Sequence, residues 1–232
     1  MSRDTCEQTT QESLMKDDTY HGLLIQGSIE DHNPRYLDRL ISTMESSLSE
    51  HPRTYAIRVD LRLPNVDGFL DCLSRDEIVS YNRNRTNLMK RFTESLNAKM
   101  KAQERRKRRD GKRVYPCTMR HIWAKERDTS INEHYHLVLF FNKDRFYQAG
   151  NYKHEGSLAS LIIEAWATAL GCEVKDSFRL VYFPPNHGYY LNENSERFSQ
   201  QYHDLFYRIS YLAKKRTKRY GEGYRCFGCS TR

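Results

Sequence analysis

The stretch Glu133-His-Tyr-His-Leu-Val-Leu-Phe-Phe141 sets two histidines, one bulky residue apart, directly before five apolar residues in succession. In a chain that is 38% hydrophobic and 29% charged, so dense a run reads as a strand. Side chains at i and i+2 of a strand leave the same face, so His134 and His136 stand side by side. Two imidazoles at that spacing make half of a divalent-metal site. A pair of partly buried, hydrogen-bonded histidines is the plainer alternative, and the spacing alone leaves both open.

Charge narrows the partner. Residues 1–50 hold four basic residues (Arg3, Lys16, Arg35, Arg39) against ten acidic ones, a net of −6; with +8 for the whole chain, residues 51–232 carry +14. A basic body of that size points to a polyanion, most simply nucleic acid, with a solvated basic surface as the plain alternative. The six cysteines (Cys6, Cys72, Cys117, Cys172, Cys226, Cys229) follow no framework spacing. Cys226-Phe-Gly-Cys229 is a lone C-x-x-C without the second ligand pair that a zinc site needs. With no secretory signal and no apolar run approaching ~18 residues, the reading is a protein of the reducing cytoplasm with no membrane contact.

Residues 1–32 are polar and acidic, without helical or strand period, and read as disordered. A helix is expected from Asn33-Pro34 to His51-Pro52, with Tyr36, Leu37, Leu40, Ile41, Met44 and Leu48 at helical spacing. Residues 53–232 are expected to form one domain. Thr54–Leu63 alternates as a strand, with Arg58, Asp60 and Arg62 on the polar face, and Pro64 closes it. Ser74-Arg-Asp-Glu77 is a capping box opening a helix to about Arg108, whose end, Arg105-Arg106-Lys107-Arg108-Arg109, is a solvated terminus or a phosphate-contacting arm. Arg113–Glu126 and Asn132–Asn142 read as a β-hairpin across the polar turn Arg127–Ser130. Ser157–Leu170 is an amphipathic helix stopped by Gly171, and Phe178–Phe183 is a strand ended by Pro184-Pro185. After an Asn/Gly/Tyr loop, a last helix runs from Ser195 to about Arg219, and Tyr224–Phe227 is a candidate edge strand. The order β-α-β-β-α-β-α describes an α+β sandwich, an antiparallel sheet with helices on one face. There is no internal repeat and no Gly-rich phosphate loop, so nucleotide-cofactor folds are unsupported.

The hairpin turn returns Glu126 toward His134 and His136. One carboxylate and two imidazoles, with positions open for water and a phosphate oxygen, suit Mg²⁺ or Mn²⁺ acting as a Lewis acid. An exposed Glu126 paired with Lys125 or Arg127 is the alternative. Glu133, one residue from His134, points to the opposite face. On the last helix, Leu205, Ile209 and Leu212 form an apolar stripe, while Tyr207, Tyr211, Lys214 and Lys218 fall within about 60° on the other side. Tyrosines outside the stripe, one turn from a lysine, are candidate nucleophiles, and ordinary surface packing is their alternative.

Taken together, the His134-Tyr135-His136 strand, Glu126 on the strand before it and the Tyr211-Leu-Ala-Lys214 helix, with Tyr207 completing a Tyr-x-x-x-Tyr pair, resemble the HUH endonucleases that initiate rolling-circle replication. Tyr135 stands where an aliphatic residue is more usual. A closer resemblance is to the YagK/YfjJ-type prophage proteins, related to filamentous-phage replication proteins. It is carried by Val59–Pro64, Ile122–Glu126, His134–Phe146 and Arg208–Lys214, within residues 53–230. The resemblance implies a ferredoxin/RRM-like HUH sandwich in which Glu126, His134 and His136 hold Mg²⁺ or Mn²⁺. Tyr211 or Tyr207, assisted by Lys214, would attack a phosphate of single-stranded origin DNA and leave a 5′-phosphotyrosine. Arg105–Arg109, Lys215, Arg216 and Lys218 would contact the DNA backbone, and the many tyrosines would stack on bases. The acidic N-terminal region is a candidate contact for a host replication protein. A transposase- or relaxase-like strand transferase, and a DNA-binding regulator that no longer nicks, are the competing expectations.

Overall fold

The computed structural model describes residues 17–64, 87–126, 133–216, 218 and 225–230. Its centre is a pair of long antiparallel strands, β3 (Arg53–Arg62) and β5 (His134–Asn142), in a register that sets Ile57 opposite Leu139 and Asp60 opposite His136. β4 (Arg120–Glu126) flanks β5, and the short edge strand β8 (Phe227–Cys229) flanks β4. On the other side, β6 (Val181–Tyr182) and β7 (Gly188–Asn192) both pair with β3, at its two ends. Every one of these pairings is antiparallel. The capping box at Ser74 and the turn at Arg127–Ser130 lie outside the described residues.

The period-2 alternation of the strands divides the core in two. Tyr55, Ile57, Val59 and Leu61 of β3, with Leu137, Leu139 and Phe141 of β5, face α2 (Leu88–Arg109) and α3 (Leu158–Leu170). Ala56, Ile122, Ala124, Val138 and Phe140 face α1 (Pro34–Glu50) and α5 (Phe198–Ser210). The helices therefore cover both faces of the sheet, where the sequence suggested one. Tyr135 of the histidine triplet belongs to the first core, its ring 6.0 Å from both Trp123 and Trp166, which accounts for an aromatic at that place. Asn33 caps α1 by accepting from Arg35 N–H, with Pro34 at the first helical position, and Gly171 ends α3 at φ 76°, as their sequence positions predict.

Five further expectations are corrected. Residues 17–32 are ordered: β1 (Thr19–Tyr20) and β2 (Leu23–Leu24) form a hairpin, a 3₁₀ turn follows at Ile29–Asp31, and Ile25 is buried against α5. Residues 112–119 are not strand: Pro116 lacks a ladder donor, and its carbonyl instead accepts from the Asn142 side chain. Phe178 is helical, at the end of the short helix α4 (Val174–Ser177), so the expected strand shrinks to Val181–Tyr182. The Asn/Gly/Tyr loop that follows contains β7, in which Tyr190 lies against Tyr55 of the core. The last helix stops at Ser210 and continues only as a 3₁₀ turn, Tyr211–Ala213, before Lys214 pairs with His32.

Candidate metal centre

On the α1/α5 face the apolar side chains give way, toward one end of the sheet, to charged and polar ones. Arg58 and Asp60 continue from Ala56, Glu126 from Ala124, and His136 and His134 precede Val138. Glu126 lies directly opposite His134 and Ala124 opposite His136, so a hairpin register brings the three candidate ligands together. One ligand atom from each of Glu126, His134 and His136 lies within 4.8 Å of the others. The two Nε2 atoms are 3.1 Å apart, and His136 Nε2 is 3.3 Å from Glu126 Oε2. Two imidazole nitrogens converging on one carboxylate oxygen form a donor set that could hold a metal ion.

The surrounding groups prepare that set. His136 Nδ1 lies 2.7 Å from Asp60 Oδ1. A carboxylate only accepts, so Nδ1 carries a proton and Nε2, which meets Glu126, is the nitrogen left to bind a metal when the ring is neutral, the arrangement in which an outer carboxylate orients a metal-binding imidazole. Arg58, buried, donates from Nε to the same Asp60 oxygen at 3.0 Å. Burial works to raise the Asp60 carboxyl, but the His136 bond and the Arg58 charge outweigh it and hold the group below its ordinary value. Burial likewise opposes charge on His136, yet the bonds to Asp60 and Glu126 lift it above the ordinary imidazole, whereas burial and the neighbouring His136 lower His134.

Tyr211 is brought to the centre. Its hydroxyl donates to Glu126 Oε2 at 3.3 Å, and its ring packs edge-on to His136 at 5.6 Å. Lys214 Nζ lies 5.4 Å from the Tyr211 ring centroid, and the Arg58 guanidinium lies 6.0 Å from it on the strand side. Tyr207 is not brought in: its hydroxyl donates to Asp17 at 2.7 Å, a bond that also raises its pKa.

The basic residues divide. Lys218 is no surface contact: its side chain is 0% exposed, with Nζ 3.3 Å from Glu126 Oε1 and bonded to Lys214 O. Burial depresses its pKa, against the pull of Glu126. Lys215 and Arg216 are exposed, and Lys215 Nζ donates to Glu30 O. Arg105–Arg109 end a helix on the opposite face of the sheet, anchored there by Gln103, which accepts from Arg145 beyond the far end of β5. Within that run Arg106 pairs with Glu155 and Arg108 with Glu104. Glu133 pairs with Lys125 at 2.9 Å, away from the cluster. Cys226 and Cys229 are not joined in a disulfide. Asp60 and Arg58 are thus the site residues that the sequence did not single out, and Lys218, expected on the DNA backbone, is instead buried against Glu126. The strand alternation had placed Asp60 on the polar face, but its partner lies 76 residues away.

The structure defines an α+β protein with a Glu/His/His cluster on an antiparallel sheet and a phenol bonded to its carboxylate. Within that class the chain belongs to the YagK/YfjJ C-terminal domain family, which matches residues 15–230. It is 39% identical over 205 residues to the uncharacterized protein YagK of Escherichia coli (strain K12), covering 88% of this chain and 96% of YagK. It is 37% identical over 202 residues to the uncharacterized protein YfjJ of the same strain, covering 86% of this chain and 95% of YfjJ. No solved structure matches the chain. Among the described residues no helix is long and apolar enough to cross a membrane.

Proposed function

We propose that the chain is a rolling-circle replication initiator of the HUH endonuclease type, which nicks and rejoins single-stranded origin DNA through a phosphotyrosine. The observation that carries this reading is the Tyr211 hydroxyl resting on Glu126, the carboxylate that His136 also meets. The strand order β6/β7–β3–β5–β4, all antiparallel, is the order of a ferredoxin-like sandwich and supports the reading at the level of fold.

Glu126, His134 and His136 would hold Mg²⁺ or Mn²⁺, which supplies Lewis-acid polarisation of a phosphate oxygen. The residues of the chain do the rest. The Tyr211 oxygen attacks phosphorus, a tyrosyl–phosphate bond forms and the P–O3′ bond breaks, releasing a 3′-hydroxyl and leaving the 5′ end on the protein. Glu126 Oε2 is the acceptor already bonded to the phenol. Lys214, beside the ring, and Arg58, behind it, offset negative charge developing on the phosphate. One phosphodiester replaces another, so the step is reversible and a free 3′-hydroxyl can rejoin the strand.

Labelled single-stranded DNA from the chain's own replicon origin, incubated with Mn²⁺ and run on a denaturing gel, should give a covalent adduct. Tyr211→Phe should abolish it and Tyr207→Phe should keep most of it. An adduct that survives Tyr211→Phe, or none with the wild type, would sink the mechanism.

A further inference from the structure

The row of side chains that crosses the sheet through the centre does not stop at Asp60. Tyr182 on β6 lies opposite Asp60, which lies opposite His136, so all three project from the same face. Two residues along β3, Arg62 lies opposite His134 and shares that face. With strands ~4.8 Å apart, Arg62 sits one spacing from a candidate ligand and Tyr182 two, a reach of a few nucleotides at about 3.4 Å each. Tyr182 is 43% exposed, although its neighbour Val181 is buried in the core. The Arg62 guanidinium lies 5.4 Å from the Tyr182 ring centroid, and Arg62 is itself exposed. An exposed ring and an exposed cation at the mouth of a centre that faces a phosphate are the two components of single-strand binding, a stacking platform and a backbone contact. The other exposed tyrosines are placed differently. Tyr190 is opposite Tyr55, at the other end of β3, and donates to Tyr147 O, while Tyr207 donates to Asp17.

We propose that Tyr182 and Arg62 form a nucleotide subsite beside the metal centre, in which a base of single-stranded DNA stacks on the Tyr182 ring and Arg62 meets an adjoining phosphate. The edge strand stops at Tyr182 because Pro184-Pro185 follows, and β3 continues its pairing only at the His187 carbonyl. The ring therefore stands at an open end of the ladder.

This inference rests on the reading of the centre as a single-strand site, and its test is independent of cleavage. Affinity for a short fluorescein-labelled oligothymidylate is measured by anisotropy in EDTA, on the Tyr211→Phe background. Tyr182→Ala should weaken binding about tenfold, the loss of one stacked base, and Tyr182→Trp should restore it. Arg62→Met should lower the slope of log affinity against log salt by about one. Tyr147→Ala, an exposed tyrosine away from the row, should change nothing. Unchanged affinity in Tyr182→Ala, with a wild-type melting curve, overturns the subsite while leaving nicking intact. An oligonucleotide bound through Tyr182, with no adduct formed when Tyr211 is intact and Mn²⁺ is present, would leave the subsite standing and remove the nicking reading. If duplex DNA competes as well as single strand and is equally blind to Tyr182, the subsite is also overturned.

Discussion

Asp60 shows how much of the centre is made by a residue that would touch no metal. Its carboxylate fixes the His136 tautomer and is itself held by Arg58. Losing an outer-shell carboxylate of this kind typically costs 10- to 100-fold in metal affinity. Asp60→Asn should therefore weaken Mn²⁺ binding by about that factor in a direct titration, with the fold kept. An affinity equal to wild type would make the Asp60 contact incidental. Lys218 is the complementary case, because it neutralises a carboxylate that is 1% exposed. Removing one partner of a buried ion pair strands the other charge, so Lys218→Met should cost about 3–5 kcal/mol in urea unfolding. Glu126→Gln/Lys218→Met should recover much of that. The candidate Glu126-His134-His136 cluster was readable in the sequence because alternation and a hairpin turn are local rules. Asp60 was not, since its histidine partner is 76 residues away, and Lys218 was misplaced because a helical period was carried past Ser210.

At the scale of elements, the end of α5 is decided by a segment far away in the chain. Gln26 donates from its backbone to Ser210 Oγ and from its side chain to Tyr207 O, Asn33 N–H donates to Ala213 O, and Lys215 N–H donates to Asp31 O. Three of those bonds use backbone groups that a continuing helix would need, the Tyr207 and Ala213 carbonyls and the Lys215 N–H, so the chain turns at Tyr211 and delivers that side chain to Glu126. No local pattern announces this, which is why the helix was expected to run on to Arg219. The other edge of the sheet gives a pH prediction. His121 of β4 is held near β8 by Ser230, whose hydroxyl meets both its backbone N–H and its ring. Burial pushes its pKa from 6.5 down to about 4. The unfolded chain therefore binds the proton more readily, so this contribution to stability is complete above about pH 6.5 and is lost as pH falls toward 4. At its limit the loss is roughly 3 kcal/mol. Urea midpoints at pH 7 and pH 4.5 should differ more for wild type than for His121→Gln, and equal differences would remove His121 as the source.

At the scale of the whole molecule, charge and site are separated. The described part of the acidic N-terminal segment, from Asp17 onward, lies against the helix that carries Tyr207, with Asp17 bonded to that hydroxyl and Ile25 in the core. The basic run Arg105–Arg109 lies on the other face of the sheet, beyond the far end of β5. β5 has nine residues, so at ~3.3 Å per residue its ends are roughly 26 Å apart. Composition revealed both charge blocks but not their distance from the centre, because that distance is set by which face α2 covers. A short strand filling the centre cannot reach the run; a long one, leaving the site around the edge of the sheet, can. Arg105→Gln/Arg109→Gln should therefore leave the affinity of a four-nucleotide strand, about 14 Å long, unchanged. For a strand several times longer it should lower the slope of log affinity against log salt by about one to two, as two phosphate contacts are lost. Adduct formation at saturating DNA should stay at the wild-type rate, since neither arginine is near Tyr211. Equal weakening for short and long strands would place the run beside the centre and contradict the geometry. No weakening with either would reduce the run to a solvated helix end, whose charges meet Glu104 and Glu155 rather than DNA.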